Sequence, residues 1–350
     1  MNIFRKKSIS NAPVPSELRL DPVSRDWVVI ATGRAKRPEH FRKETRPELE
    51  DSITNCPFET LIGQERANKA FYKSKKVEKI PEDQSTLEWT TVAIPNKYPA
   101  FTLSNSLRER KVGPYQVMDG VGFHEVIITK DHTRDIPQFS QQETKELVDM
   151  YQECYLELME GKFVHYISIF KNKGAGAGAT IAHPHSQIIA TAITDPDIQR
   201  SLDNSYEFFE KKKQCVHCVM LEWDRKEKSR IIYENDCFVS LCPFASRVAF
   251  EIRIYPVQHL AYFEKSDEHQ KECLADILLI TMQKLAKGLK DPDYNYFIHT
   301  APTNVWTYDH YHWHFEILPK TATWAGFELG TGIEISTIEP EKAAEFLRLQ

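Results

Sequence analysis

Apolar and polar residues alternate through several short stretches of the chain and follow a three-to-four-residue period through two longer ones. Alternation or short apolar runs predict strands at residues 91–94, 123–129, 166–170, 250–255 and 296–299. Leu147, Val148, Tyr151, Cys154, Tyr155 and Leu158 recur at helical spacing and predict an amphipathic helix over residues 141–159; a second is expected over 268–289. Leu18-Arg-Leu20 and Trp27-Val-Val-Ile30, parted by the turn residues 21–26, read as a hairpin. The charged stretches 40–51 and 73–85 have no period and read as long surface loops.

This order contains a repeat. Strand, helix, strand, loop and strand occur in residues 123–191 and again in 250–317, so the fold class expected is α+β, a duplicated unit with antiparallel sheets and flanking helices. The division expected is a mobile arm at 1–16, one unit at 17–195 and a second at 196–350. Aligning the two orders sets His132 opposite His259, His183 opposite His310, and His185 opposite His312.

Composition narrows the class. A chain of 350 residues with 41% hydrophobic and 27% charged residues is an ordinary globular protein. Its net charge of -5 and pI near 6.2 argue against a general nucleic-acid or anionic-membrane surface. No window approaches the roughly 18 apolar residues of a membrane helix, so the expectation is a cytoplasmic protein without a membrane partner. Seven cysteines, an odd number in a chain too large to need disulfide staples, favour reduced thiols and metal ligation.

The histidines carry the chemistry. His183-Pro-His185-Ser-Gln187 follows the glycine-rich run 174–178, and period-2 alternation sets His183, His185 and Gln187 on one face of a strand. An imidazole that attacks phosphorus must be neutral and present one nitrogen, a part His185 suits; Gln187 would donate to a phosphate oxygen as charge builds. Gly174, Gly176 and Gly178 would let backbone N–H groups approach such an oxygen, or else form a plain turn. Arg34 and Arg37 offer cations for a diphosphate, and Asn96-Lys97 could hold a base or ribose.

Cys215-Val-His-Cys218 has the spacing by which two thiolates ligate zinc, with His259 and His310 as candidate partners. The first half offers Cys56, His132 and His183, with Glu59 where a second cysteine would fall. Zinc is expected more firmly at the second set than at the first. A reading of another class is a zinc-stabilised module for nucleotides or RNA, for which Lys211-Lys-Lys213 speaks and the acidic chain speaks against.

Phe170-Lys-Asn-Lys-Gly174 through His183-Pro-His185-Ser-Gln187, with Arg34-Ala-Lys-Arg-Pro38 upstream and Gly326-Phe-Glu-Leu-Gly-Thr-Gly332 downstream, resembles the galactose-1-phosphate uridylyltransferase family, a branch of the histidine triad superfamily. The resemblance implies a duplicated histidine-triad-like fold, usually in a homodimer. It implies ping-pong transfer between a nucleoside-diphosphate sugar and a sugar 1-phosphate in galactose metabolism, through a covalent nucleotidyl-histidine on His185 steadied by Gln187. Lys171 or Asn172 would help neutralise charge, and Phe327, in the downstream segment, joins the substrate-binding residues. The Cys215 set is similar to the second zinc site of plant ADP-glucose phosphorylase relatives, which makes an adenylyl transferase using ADP-glucose and phosphate the runner-up.

Overall fold

The computed structural model describes residues 16–31, 41, 49, 52–303 and 307–350. All but the last residue of the expected arm, Arg34, Arg37 and nearly all of the loop 40–51 lie outside them.

The strands are β1 (Glu17–Leu20), β2 (Trp27–Ile30), β3 (Lys69–Tyr72), β4 (Lys75–Lys76), β5 (Thr91–Pro95), β6 (Glu109–Val112), β7 (Tyr115–Met118), β8 (Gly122–Thr129), β9 (Tyr166–Lys173), β10 (His185–Thr191), β11 (Ile231–Glu234), β12 (Phe238–Leu241), β13 (Ile252–Pro256), β14 (Tyr294–His299), β15 (His314–Pro319) and β16 (Glu334–Ser336). The helices are α1 (Gln141–Leu158), α2 (Pro196–Lys212), α3 (Val216–Glu227), α4 (Glu268–Leu289), α5 (Gly326–Thr331) and α6 (Pro340–Arg348). Both long helices start at capping boxes: Ser140 with Glu143 for α1, and Asp267 with Gln270 for α4. Each box satisfies end N–H groups that the helix cannot. The stretch 73–85 is less of a loop than its charge suggests, since Lys75 and Lys76 pair with Tyr72 and Phe71 and a 3-10 turn forms at Gln84–Thr86.

Eleven strands form one antiparallel sheet in the order β11-β12-β13-β15-β14-β9-β10-β8-β5-β3-β4. The repeats meet at its centre, where β9 pairs with β14 and Phe170 faces Phe297. One repeated unit lies on each side of that seam, which is the expected duplicated α+β architecture.

Alternation divides the sheet's faces. Ile127, Ile167, Ile169 and Ile188 from the first half join Ile252, Ile254, Tyr296, Phe315 and Ile317 from the second in one core beneath α1 and α4. Each such side chain contributes about 1.5–3 kcal/mol on burial. His124, His185 and Gln187, one residue out of step with those core positions, emerge on the opposite face; Arg253, His314 and Glu316 do so in the second half. Among the described residues no helix is long and apolar enough to cross a membrane.

Candidate active site and metal clusters

Pro184 has no N–H to give a ladder, so β10 begins at His185 and His183 stands in the bend before it. This corrects the expectation that both histidines share a strand face. His183 Nε2 donates to the Thr129 carbonyl at 2.7 Å, which leaves Nδ1 toward Cys56 Sγ at 3.6 Å. His185 does the reverse: Nδ1 donates to the His183 carbonyl at 2.9 Å, and Nε2 keeps the lone pair. Burial, helped by the charges of Lys171 and His183, holds the His185 pKa down to about 4, so its imidazole is neutral near pH 7. Phe58 packs edge-on against its ring at 5.1 Å. Lys171 itself points to the helix-covered face, where its ammonium meets Asp135 at 2.6 Å.

Gln187 is oriented by a residue that sequence reasoning missed. The Ala100 N–H donates to His124 Nδ1 at 3.2 Å, so the His124 proton sits on Nε2 and is given to Gln187 Oε1 at 2.8 Å. The Gln187 amide NH2 is then turned away from His124 and free to donate. Asn96 is part of the group, its N–H bonding the His124 carbonyl at 2.8 Å and its Nδ2 lying 3.1 Å from His124 Nε2. A polar His124-Glu125 pair interrupting the run from Phe123 to Val126-Ile-Ile128 was the available signal.

The glycine run has a different use from the one expected. Gly176 N–H donates to Asp293 Oδ2 at 2.9 Å, and a Cβ on Gly174 would fall 2.1 Å from Asp293 Oδ1. Gly174 and Gly178 also have φ of 80° and 84°. The loop is therefore clamped to the second half by Asp293, and the Gly176 N–H is not left over for a phosphate. Asn172 is engaged as well, accepting from Asn295 Nδ2 at 2.7 Å. Lys97 and Phe327 are solvent-exposed and take no part in these hydrogen bonds.

Two four-donor clusters could hold a metal. Cys56, Glu59, His132 and His183 offer ligand atoms within 4.8 Å of one another, with Glu59 Oε1 2.5 Å from His132 Nδ1 and 3.4 Å from His183 Nδ1. Cys215, Cys218, His259 and His312 do the same, with Cys218 Sγ 3.3 Å from His259 Nδ1 and 3.6 Å from His312 Nδ1. A tetrahedral zinc site has ligand–ligand edges of about 3.5 Å; the Cys215 set matches these as it stands, and the Cys56 set matches them once the Glu59–His132 hydrogen bond opens to admit the ion. The match extends to orientation, because His312 Nε2 donates to the Pro256 carbonyl at 2.9 Å just as His183 does to Thr129.

His312 replaces the expected His310. His132 and His259 differ by 127 positions, but the loop before the last strand is two residues longer in the second half: Phe170 to Gln187 is 17 positions, and its counterpart Phe297 to Glu316 is 19. His310 packs instead against the Tyr206 ring at 5.2 Å. The counterparts of His185 and Gln187 are accordingly His314 and Glu316.

Three comparisons bear on this arrangement. A family model described as the N-terminal domain of galactose-1-phosphate uridyl transferase matches residues 7–194, and one for a domain of unknown function (DUF4921) matches 117–348. ADP-glucose phosphorylase of Arabidopsis thaliana is 33% identical over 95% of this chain and 92% of its own, and galactose-1-phosphate uridylyltransferase of Thermotoga maritima is 29% identical over 95% and 98%. Among solved structures, ADP-glucose phosphorylase from Arabidopsis thaliana with bound ADP-glucose superposes with a TM-score of 0.77 at 30% identity, covering 95% of this chain and 99% of that one. With the matched model spanning more than half its length, the chain belongs to the galactose-1-phosphate uridylyltransferase family of nucleotidyltransferases.

Proposed function

We propose that the chain moves a nucleotidyl group from a nucleoside-diphosphate sugar to a phosphate-bearing acceptor through a covalent bond to His185. The observation that carries this is the His185 imidazole, fixed by the His183 carbonyl so that Nε2 is unprotonated. Its lone pair attacks the α-phosphorus, the bond from phosphorus to the bridging oxygen breaks, and sugar 1-phosphate leaves with that electron pair. An acceptor phosphate oxygen then attacks the same phosphorus and returns the pair to Nε2. Gln187, held by His124, donates to the non-bridging oxygens as charge builds. Arg34 and Arg37 keep the role of neutralising the diphosphate.

Zinc is the ion we assign to the two clusters, held by Cys56, Glu59, His132 and His183 and by Cys215, Cys218, His259 and His312. Its contribution when bound is to cross-link distant segments and fix His183, hence the carbonyl on which His185 depends. The protein is read as cytoplasmic by default and, as the family resemblance implies, homodimeric.

For the substrate, similarity over nearly the full chain to ADP-glucose phosphorylase favours ADP-glucose with phosphate as acceptor. The family model and the Thermotoga maritima relative support UDP-glucose with a hexose 1-phosphate as the second reading. Incubation with each sugar nucleotide labelled at the α-phosphate tests both. The expected outcome is an acid-labile, base-stable adduct on His185 that phosphate discharges when the nucleotide is ADP-glucose. Absence of an adduct with either would reject the covalent mechanism, and faster turnover of UDP-glucose with galactose 1-phosphate would reverse the substrate assignment.

A further inference from the structure

On the helix-covered side of the sheet, away from the face that carries His185, a third group of soft donors comes together. His269 and Cys273 lie one turn apart near the start of α4, with Cys273 Sγ 3.8 Å from His269 Nε2. Cys237 approaches from the turn between β11 and β12 and sets its thiol beside that of Cys273. The three ligand atoms lie within 4.8 Å of one another, close to the edges of a thiolate-containing tetrahedron.

The backbone beneath these donors is already fixed. Asn235 Nδ2 donates to the Cys273 carbonyl at 2.8 Å and to Asp276 Oδ2 at 2.9 Å, while Asn235 Oδ1 accepts from the N–H groups of Cys237 and Phe238 at 3.2 and 2.9 Å. Tyr233 adds a hydroxyl to Asp276 at 3.2 Å. One side chain thus brackets the turn to the helix, so an ion would meet donors held in place rather than gather them. Asp236 and Asp267 place negative charge around Cys237, which favours a cation. Cys273 is buried and His269 exposed, so the group opens to solvent on its histidine side.

We propose that Cys237, His269 and Cys273 form a solvent-facing site for a thiophilic divalent cation of the zinc class, separate from the two four-donor clusters. Both thiols lose their protons to solvent as the cation binds, His269 ligates through its neutral nitrogen, and the fourth position is left for water or an outside donor. Bound metal would pin the turn at Cys237 to the first turns of α4.

The test uses the full-length protein, equilibrated with zinc under reducing conditions, freed of loose metal, and assayed for zinc per chain and by competition with a chromophoric zinc chelator. Wild type is expected to hold one equivalent more than His269→Ala and one more than Cys237→Ser. His269 is exposed, and Cys237→Ser is a near-isosteric change at a partly buried turn position, so neither variant opens a cavity in the core; Cys273→Ser is a supporting variant only. Equal zinc in wild type and both variants would overturn the proposal. So would an intact mass two hydrogens lower in the reduced and metal-treated wild type, the mark of a Cys237–Cys273 disulfide. The readout is a difference at this group alone, so it stands whether or not nucleotidyl transfer through His185 is borne out.

Discussion

His185 and His314 occupy the same place in the two repeats, yet their surroundings have opposite characters. Each donates Nδ1–H to the carbonyl two residues back, at 2.9 Å and 3.1 Å. Beyond that bond they diverge. His185 has Phe58 at its edge and a glutamine two residues on; His314 is stacked between Tyr255 at 4.7 Å and His299 at 5.1 Å, and its glutamine position is Glu316. Opposite Gln187 on the neighbouring strand is Val126, whereas opposite Glu316 is Arg253. Arg253 reaches Asp21 at 2.8 Å, Glu251 at 3.1 Å and Glu316 at 3.4 Å, and Arg247 pairs with Glu316 as well. One scaffold thus supports a presented imidazole in one copy and a buried ionic network in the other. The backbone geometry around His185 is shared by both copies, and a few side chains on one face decide whether the position is open.

The largest effect is expected from His185→Ala, which should lower nucleotidyl transfer by roughly four or more orders of magnitude and abolish the adduct while leaving the fold intact. An adduct persisting on His314 would break the contrast between the halves. Glu316→Gln makes the second copy resemble the first at this position; it leaves Arg253 and Arg247 short of a carboxylate and should cost about 3–5 kcal/mol in urea unfolding without creating a second labelled site. His124→Ala tests the first half's alternative to that network. Loss of the group that turns Gln187 should reduce kcat about tenfold with little change in KM, and an equal rise in KM would point to a binding role instead.

The smallest effect concerns the 3-10 turns that precede the long helices, Ile136–Gln138 and Phe263–Lys265, where Pro137 in the first half corresponds to Glu264 in the second. Burial pushes the Glu264 pKa up to about 7. In the unfolded chain the carboxyl ionises near its ordinary value of 4.5, so between those two values the native state holds a proton that the unfolded state has lost. Stability should therefore fall as pH rises from about 4.5 to 7, and Glu264→Gln should remove that slope and gain about 1 kcal/mol at pH 8. Parallel pH–stability curves for wild type and variant would show that the burial has no energetic consequence.

Much of this was legible along the chain because alternation and helical period are local signals. The bounds of α4 follow from its apolar spacing, and the placement of His185 and Gln187 on one face follows from the pleat. What escaped was set by sequence-distant geometry. The longer loop before β15 shifted the metal-facing histidine from His310 to His312, and an alignment at constant offset cannot register such an insertion. Asp293, an acid outside every motif, claims the Gly176 N–H. His124 becomes meaningful only once β8 lies beside β10, and the helices α2 and α3, for which no expectation was set, flank Cys215.

The seam between β9 and β14 carries an implication for how such a chain can change. Phe170 against Phe297 and Ile169 against Ile298 are apolar pairs in the middle of the sheet, and the two lysines of that seam, Lys171 and Lys173, are engaged in ion pairs with Asp135 and Asp291. A single repeat standing alone would have to guard that edge or pair it with a second copy; the two-repeat chain has no such need. Exposed on its own, either repeat would present those apolar pairs at a free edge, so joining the two lets the second copy differ at the position of His185 without losing its place in the fold.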